Sequence, residues 1–312
     1  MNSMSKKLAA ASLISACTTV SALAGSVTQP GETVGVAAGA PLPQGIYVVD
    51  TTDWGCRNTN PEGTCVGVTI PVYAWSTPWK ILGGRLQFLA ATPAVDVGVN
   101  DTFYKAGWYN PLVSGQLAWD LGNYWSFSYL LGSYIDVNSP TAWSSSSLNQ
   151  RFALSYTGYG WNLTANAIWG IQFNQVTSNP QLSGCPVSPA FPNNGCNPNF
   201  INVDLTATHK FGKWEAGWVG FYSSDLSTPV PGYLKQSQFA MGGLVGYDFG
   251  PVILQGYLTS DVYQKNYGGT DVRGWARIII PLGDPFAPPP APARLAQRYC
   301  APRTDRFQGG MI

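Results

Sequence analysis

Charge is what this 312-residue chain has least of, because Asp, Glu, Lys and Arg together make up only 11% of it. A soluble domain ordinarily carries about 25%, so a conventional water-facing surface is a poor fit. Long apolar runs are missing too. After the N-terminus no stretch reaches the ~18 uncharged apolar residues of a spanning helix, which excludes an ordinary helical membrane protein. Histidine occurs once and no C-x-x-C pair is present among the six cysteines, which argues against a zinc cluster. Neither sign of charge dominates: the formal net charge is +1, with none of the basic surplus that nucleic acid would call for.

What the chain has instead is aromatic content, at 13%, and alternation. Residues 160–174, GWNLTANAIWGIQFN, carry the pattern most openly. Trp161, Leu163, Ala165, Ala167, Trp169, Ile171 and Phe173 fall on one face. Asn162, Thr164, Asn166, Gly170, Gln172 and Asn174 fall on the other, which Ile168 alone interrupts. A period of two is the strand period. The length fits a tilted strand crossing a bilayer, which takes about 9–11 residues, better than a soluble strand of about 5–6.

Twelve such segments follow one another, at about residues 42–54, 64–76, 79–92, 108–121, 124–136, 149–157, 160–174, 200–211, 213–225, 235–249, 251–264 and 270–282. Tight links at Thr77-Pro78, Gly122-Asn123, residues 158–160, Gly212-Lys213 and Gly250-Pro251 alternate with long ones at 55–63, 93–107, 137–148, 175–199, 226–234 and 265–269. That alternation is the signature of short periplasmic turns and long external loops. The expected fold is therefore all-β: a transmembrane, antiparallel, up-and-down β-barrel of about twelve strands with both termini periplasmic.

The ends read differently. Lys6 and Lys7, an apolar stretch to Val20 and the Ala22-Leu23-Ala24 site make residues 1–24 a secretory signal, with lipoprotein processing at Cys17 as the rival. Residues 25–41 are a Gly/Ala/Pro-rich leader or a plug, 42–282 the barrel, and 283–312 a proline-rich tail. Export to an oxidising compartment favours two local disulfides, Cys56 with Cys65 and Cys185 with Cys196, and leaves Cys300 unassigned.

Parity assigns the faces. Aromatic and aliphatic positions such as Trp125, Phe127, Trp214, Trp218, Met241 and Tyr247 point outward. The lumen candidates are Arg85, Gln116, Asp120, Asp136, Arg151, Asn166, Gln172, Asp204, Glu215, Asp248, Gln255, Asp261, Arg273 and Arg277. An Arg facing lipid at mid-bilayer costs about 2–4 kcal/mol, which reinforces the assignment. Their mixed signs fit either a mixed-field constriction or salt bridges filling a closed lumen. The first two strands keep an open register because Pro71 signals a bulge.

Short motifs add a resemblance. Residues 42–47 (LPQGIY), Asn110-Pro111-Leu112, residues 131–134 (LGSY) running to Ser139-Pro140-Thr141, and residues 277–282 (RIIIPL) resemble the outer-membrane family named after the MetA pathway of phenol degradation. The resemblance spans residues 42–282. It implies a barrel that helps aromatic or other hydrophobic compounds across the outer membrane, and it carries over no binding residue.

An enzyme needs a nucleophile or activated water and a base, usually histidine. His209 falls on the outward parity near a short turn, so no catalytic residue is assigned. The expected function is an outer-membrane channel of a Gram-negative bacterium. It passes small solutes, hydrophobic or aromatic ones included, needs no cofactor, and has lipid and solute as its partners. A closed structural or adhesive barrel acting through its loops is the alternative. The loop at 175–199 is expected to gate the mouth or to be a plain surface loop.

Overall fold

Alternation fixes only which face a side chain takes; pairing fixes its neighbours. The computed structural model describes residues 26–58, 63–99, 103–142, 145–177 and 195–286. Its strands are β1 (Gly45–Arg57), β2 (Thr64–Ile81), β3 (Gly84–Ala91), β4 (Ala94–Val99), β5 (Phe103–Trp108), β6 (Leu112–Gly122), β7 (Trp125–Tyr134) and β8 (Ser147–Tyr156), followed by β9 (Trp161–Gln172), β10 (Val176–Thr177), β11 (Gly195–Cys196), β12 (Phe200–Phe211), β13 (Trp214–Asp225), β14 (Ser237–Asp248), β15 (Ile253–Lys265) and β16 (Asp271–Gly283).

Every long strand pairs antiparallel with its neighbour, and β1 pairs with both β2 and β16. The sheet is thereby a closed twelve-stranded barrel. Closure is what a bilayer demands, since an unpaired edge in hydrocarbon leaves backbone groups that cost several kcal/mol each. β9 shows the expected alternation, with Trp161, Leu163, Trp169 and Ala165 exposed and Asn162, Thr164 and Asn166 buried.

Two boundaries differ from the sequence expectation. Thr77-Pro78 is not a turn: β2 runs on to Ile81, and the reversal comes at Leu82-Gly83, both at positive φ. The proline is absorbed by a register shift between Ser76 and Lys80. Thr77 Oγ1 donates to the Leu86 carbonyl at 2.8 Å, and the Arg85 guanidinium donates to the Thr77 carbonyl at 2.9 Å. The bulge therefore leaves few groups unpaired.

The long link at 93–107 is also no loop. It contains the β4–β5 hairpin, which continues the barrel wall beyond its long-loop rim. β4 pairs with the first half of β2, and β3 with the second. Prolines at 93 and 111 break what would otherwise be two very long strands, because proline cannot donate to a ladder. Their carbonyls still accept, from Tyr109 at 2.8 Å and Ile135 at 2.9 Å.

At the long-loop end a disulfide joins Cys56 to Cys65 across the β1–β2 pair. Cys196 is likewise disulfide-bonded, and Cys185 lies outside the described residues. Most of the loop at 175–199 lies outside them too, so its gating role has no structural account here. Cys196 packs with Val230 and Tyr233. Burial, with the Asp225 carboxylate that accepts the Tyr233 hydroxyl at 2.6 Å, pushes that phenol far above its ordinary range. At the other end the start of the tail is held: Gln44 donates to Asp284 at 2.8 Å, and Phe286 stacks on Trp75. Residues 1–25 and 287–312 lie outside the described residues.

Candidate functional site

Inward-facing side chains converge on residues 26–40, which run inside the barrel. Short turns shape this segment, with Glu32 N–H bonded to the Gln29 carbonyl and Val34 N–H to the Gly31 carbonyl. Gly31 and Gly35 have φ of 89° and 83°, and a Cβ on either would strike Phe221 or Leu244 on the barrel wall. Glycine is needed there for both reasons.

Three charged groups hold the segment. Asp204 on β12 accepts the backbone N–H of Gly31 and of Thr33, each at 2.9 Å, and the Thr33 hydroxyl at 2.6 Å. Arg151 on β8 pairs with Glu32 at 2.7 Å. Arg277 on β16 donates to the carbonyls of Glu32 and Val34. Val34 itself is fully buried against Val219, Phe221, Leu244 and Trp275, and Val27 packs in a second cluster with Ile70, Tyr134 and Ile168.

Nearer the long-loop rim lies a second ionic group. Arg57 reaches Asp261 at 3.2 Å and Asp271 at 3.7 Å, while Arg273 pairs with Asp271 at 2.8 Å and with Asp53. Gln29 Nε2 donates to Asp53 at 3.3 Å, so this group also touches the inner segment. Arg57, Asp53, Asp261, Asp271 and Arg273 thus pair with one another, and Asp204, Arg151 and Arg277 hold the segment.

The expected lumen residues divide accordingly. Arg151, Asn166, Asp204, Gln255 and Arg277 meet around residues 26–40, with Asn166 donating to Thr33 at 2.9 Å and Gln255 to the Gly35 carbonyl at 3.2 Å. Glu215 is buried beside them, accepting from Thr208 and Gln255. Asp261 and Arg273 belong to the rim group. Gln172 is buried below the long-loop rim, and its two side-chain polar atoms have no partner among the described residues. Gln116 bonds Gln87 at 3.0 Å on a different wall.

Four residues fall elsewhere. Asp120 and Asp248 have inward parity but sit at the short turns, where each carboxylate accepts a glycine N–H, from Gly122 at 2.8 Å and Gly250 at 2.7 Å. Asp136 lies past the end of β7 and is exposed. Arg85 is half-buried at the β2 bulge. Parity gives no height along the barrel.

Several residues escaped the sequence reading. Arg57 fell in the expected loop at 55–63 but ends β1, Asp53 lies on the same strand, whose register Pro71 had left open, and Asp271 shares Arg273's parity and could have been found from it. The larger omission is an apolar inner wall. Val49, Val72, Leu89, Leu130 and Ile279 face a cavity of about 190 Å³ between the barrel wall and residues 36–40, with Gln87 and Gln116 among its polar neighbours. The runs IYVV at 46–49 and TIPVYAW at 69–75, apolar in both registers, were the available signal.

His209 lies on the outer face, its Nε2 3.1 Å from the Tyr159 carbonyl and its ring packed between Trp161 and Phe211. Among the described residues no cluster of three or more His, Cys, Asp or Glu is placed to hold a metal.

Comparison with known proteins follows the fold. The profile of a family described as "Putative MetA-pathway of phenol degradation" matches residues 35–278. An outer membrane channel from Pseudomonas putida F1 is similar at TM-score 0.57 and 11% identity, over 81% of this chain and 99% of that one. The beta domain of the Bordetella autotransporter Brka is similar at TM-score 0.50 and 9% identity, over 76% and 98%. At such identities the likeness is one of fold. No curated protein matches the chain.

Proposed function

This chain belongs to the family of the MetA pathway of phenol degradation, and from that membership and its lumen we propose an outer-membrane channel for small hydrophobic or aromatic solutes. Passage is passive and needs no cofactor. The observation that carries the reading is the apolar inner wall formed by Val49, Val72, Leu89, Leu130 and Ile279. Aliphatic groups offer a hydrated ion no substitute for its hydration shell, whereas an uncharged aromatic solute gains by burial against them.

In this reading the short-turn rim faces the periplasm, so both termini lie there and the long connections face outward. Residues 1–24 are the export signal that is removed. Residues 26–40 are a plug, held by Asp204, Arg151 and Arg277, that narrows the path and forms one side of the cavity. His209, on the outer surface with an aromatic surround, supports a channel rather than an enzyme.

Planar-bilayer conductance of the refolded mature protein, with and without residues 25–41, tests this. The intact chain is expected to conduct weakly and the truncated chain several-fold more. In proteoliposomes, an uncharged aromatic solute is expected to enter faster than through empty lipid. No conductance in either form, with no aromatic flux, would replace the channel by a closed barrel acting through its loops.

A further inference from the structure

The polar edge of the apolar cavity has a direction. The Leu42 carbonyl can only accept, so the Ser76 hydroxyl spends its proton there, at 2.8 Å. Gln87 must then present N–H to Ser76, at 3.4 Å, which turns its Oε1 toward Gln116. Gln116 answers with its own N–H at 3.0 Å. The chain of donations ends at Gln116 Oε1, which receives no hydrogen bond among the described residues. Gln116 lines the cavity, which therefore offers an acceptor.

The nearby cations are already engaged. Arg277 has five N–H donors, and all five are used: on Thr51, on the Val34 carbonyl, on Gln255, on the Glu32 carbonyl and on Tyr257. Arg151 is neutralised by Glu32 and bonded to Asn149 and Tyr134. Arg277 could serve an anion only by giving up bonds it already makes, and the charge of Arg151 is already matched by Glu32.

Size completes the argument. An apolar cavity of about 150 Å³ admits benzene, so 190 Å³ takes a ring and one small substituent. We infer that this cavity is a binding site for a small neutral molecule with an apolar body and one hydroxyl, which donates to Gln116 Oε1 while the body lies against Val49, Val72 and Leu130. This deepens the channel reading and rests on it for the route by which the molecule arrives.

Equilibrium dialysis of the refolded full chain, against matched empty micelles, decides it with three probes. Phenol is expected to bind about tenfold more tightly than anisole, which has no donor, in line with one added hydrogen bond. Benzoate at neutral pH is expected not to bind. Gln116→Leu should bring phenol to the level of anisole without weakening anisole. Equal binding of phenol and anisole by the native chain, benzoate binding as tight as phenol, or an unchanged ratio in Gln116→Leu would overturn the assignment. Ala74→Phe, which fills the cavity, should abolish both neutral ligands; retention of either by the folded variant would also overturn it. Should that variant not fold, the native series decides alone. Flux into proteoliposomes is followed in parallel: flux without hydroxyl preference sinks the site and leaves the channel, whereas hydroxyl preference without flux sinks the channel and leaves the site.

Discussion

Asp204 shows how much one inward carboxylate can organise. It accepts from two backbone N–H groups and one hydroxyl of the inner segment, and hydrogen bonds to a charged partner contribute about 1.5–3 kcal/mol each. Asp204→Ala would leave those donors without an acceptor inside the barrel. Hydrogen exchange in residues 26–40 is therefore expected to accelerate at least about tenfold, as the loss of even one such bond implies, while the wall strands stay protected. Unchanged exchange in that segment would mean that Arg151, Arg277 and apolar packing of Val34 suffice. Arg277→Met should act in the same direction, since the carbonyls of Glu32 and Val34 lose their donor. Parity alone identified Asp204, Arg151 and Arg277 as inward. The partner of Arg151 and Arg277, Glu32, lies in a stretch without periodicity, so nothing in its spacing announced it.

At the level of elements, most short turns were legible, and Thr77-Pro78 and the link at 93–107 were not. Gly122-Asn123 and Gly212-Lys213 fall where the chain turns, because Gly122, Asn123 and Gly212 take positive φ there. Leu82 does so against its nature, with φ of 51° at a tip that is 86% exposed. A branched residue there costs about 1 kcal/mol relative to residues suited to the left-handed region. Leu82→Asn is expected to stabilise the barrel by up to about that amount, read as a higher urea midpoint for folding into lipid vesicles. A lower midpoint would show that the Leu82 side chain contributes at the membrane surface. Gly242 makes the opposite case: a Cβ there would collide with the Leu258 carbonyl across the β14–β15 pair. Gly242→Val should prevent that pairing, and the variant should lose the compact, unboiled form on a detergent gel. Thr77-Pro78 misled because a missing N–H is a turn signal locally. In the barrel, Thr77 and Arg85 repair the bulge through contacts eight or nine residues away.

For the whole molecule, closure makes twelve strands one cooperative object. β1, the first barrel strand, pairs with the last, β16, along almost its full length. The native chain is accordingly expected to migrate faster unboiled than boiled in detergent gels, and co-migration of the two forms would end the reading of a closed bilayer barrel. The sequence by itself determined the strand number, the alternation of short and long links, the outward aromatic face and the inward polar one. Each of these follows from period-two geometry and from turn residues a few positions apart. Only the tertiary structure decided which inward side chains meet, where along the barrel they lie, and that residues 26–40 pass between them. Those contacts join residues as distant as Glu32 and Arg277, 245 positions apart. Alternation records the face of a side chain, but the stagger of paired strands sets its height and its neighbours across the lumen.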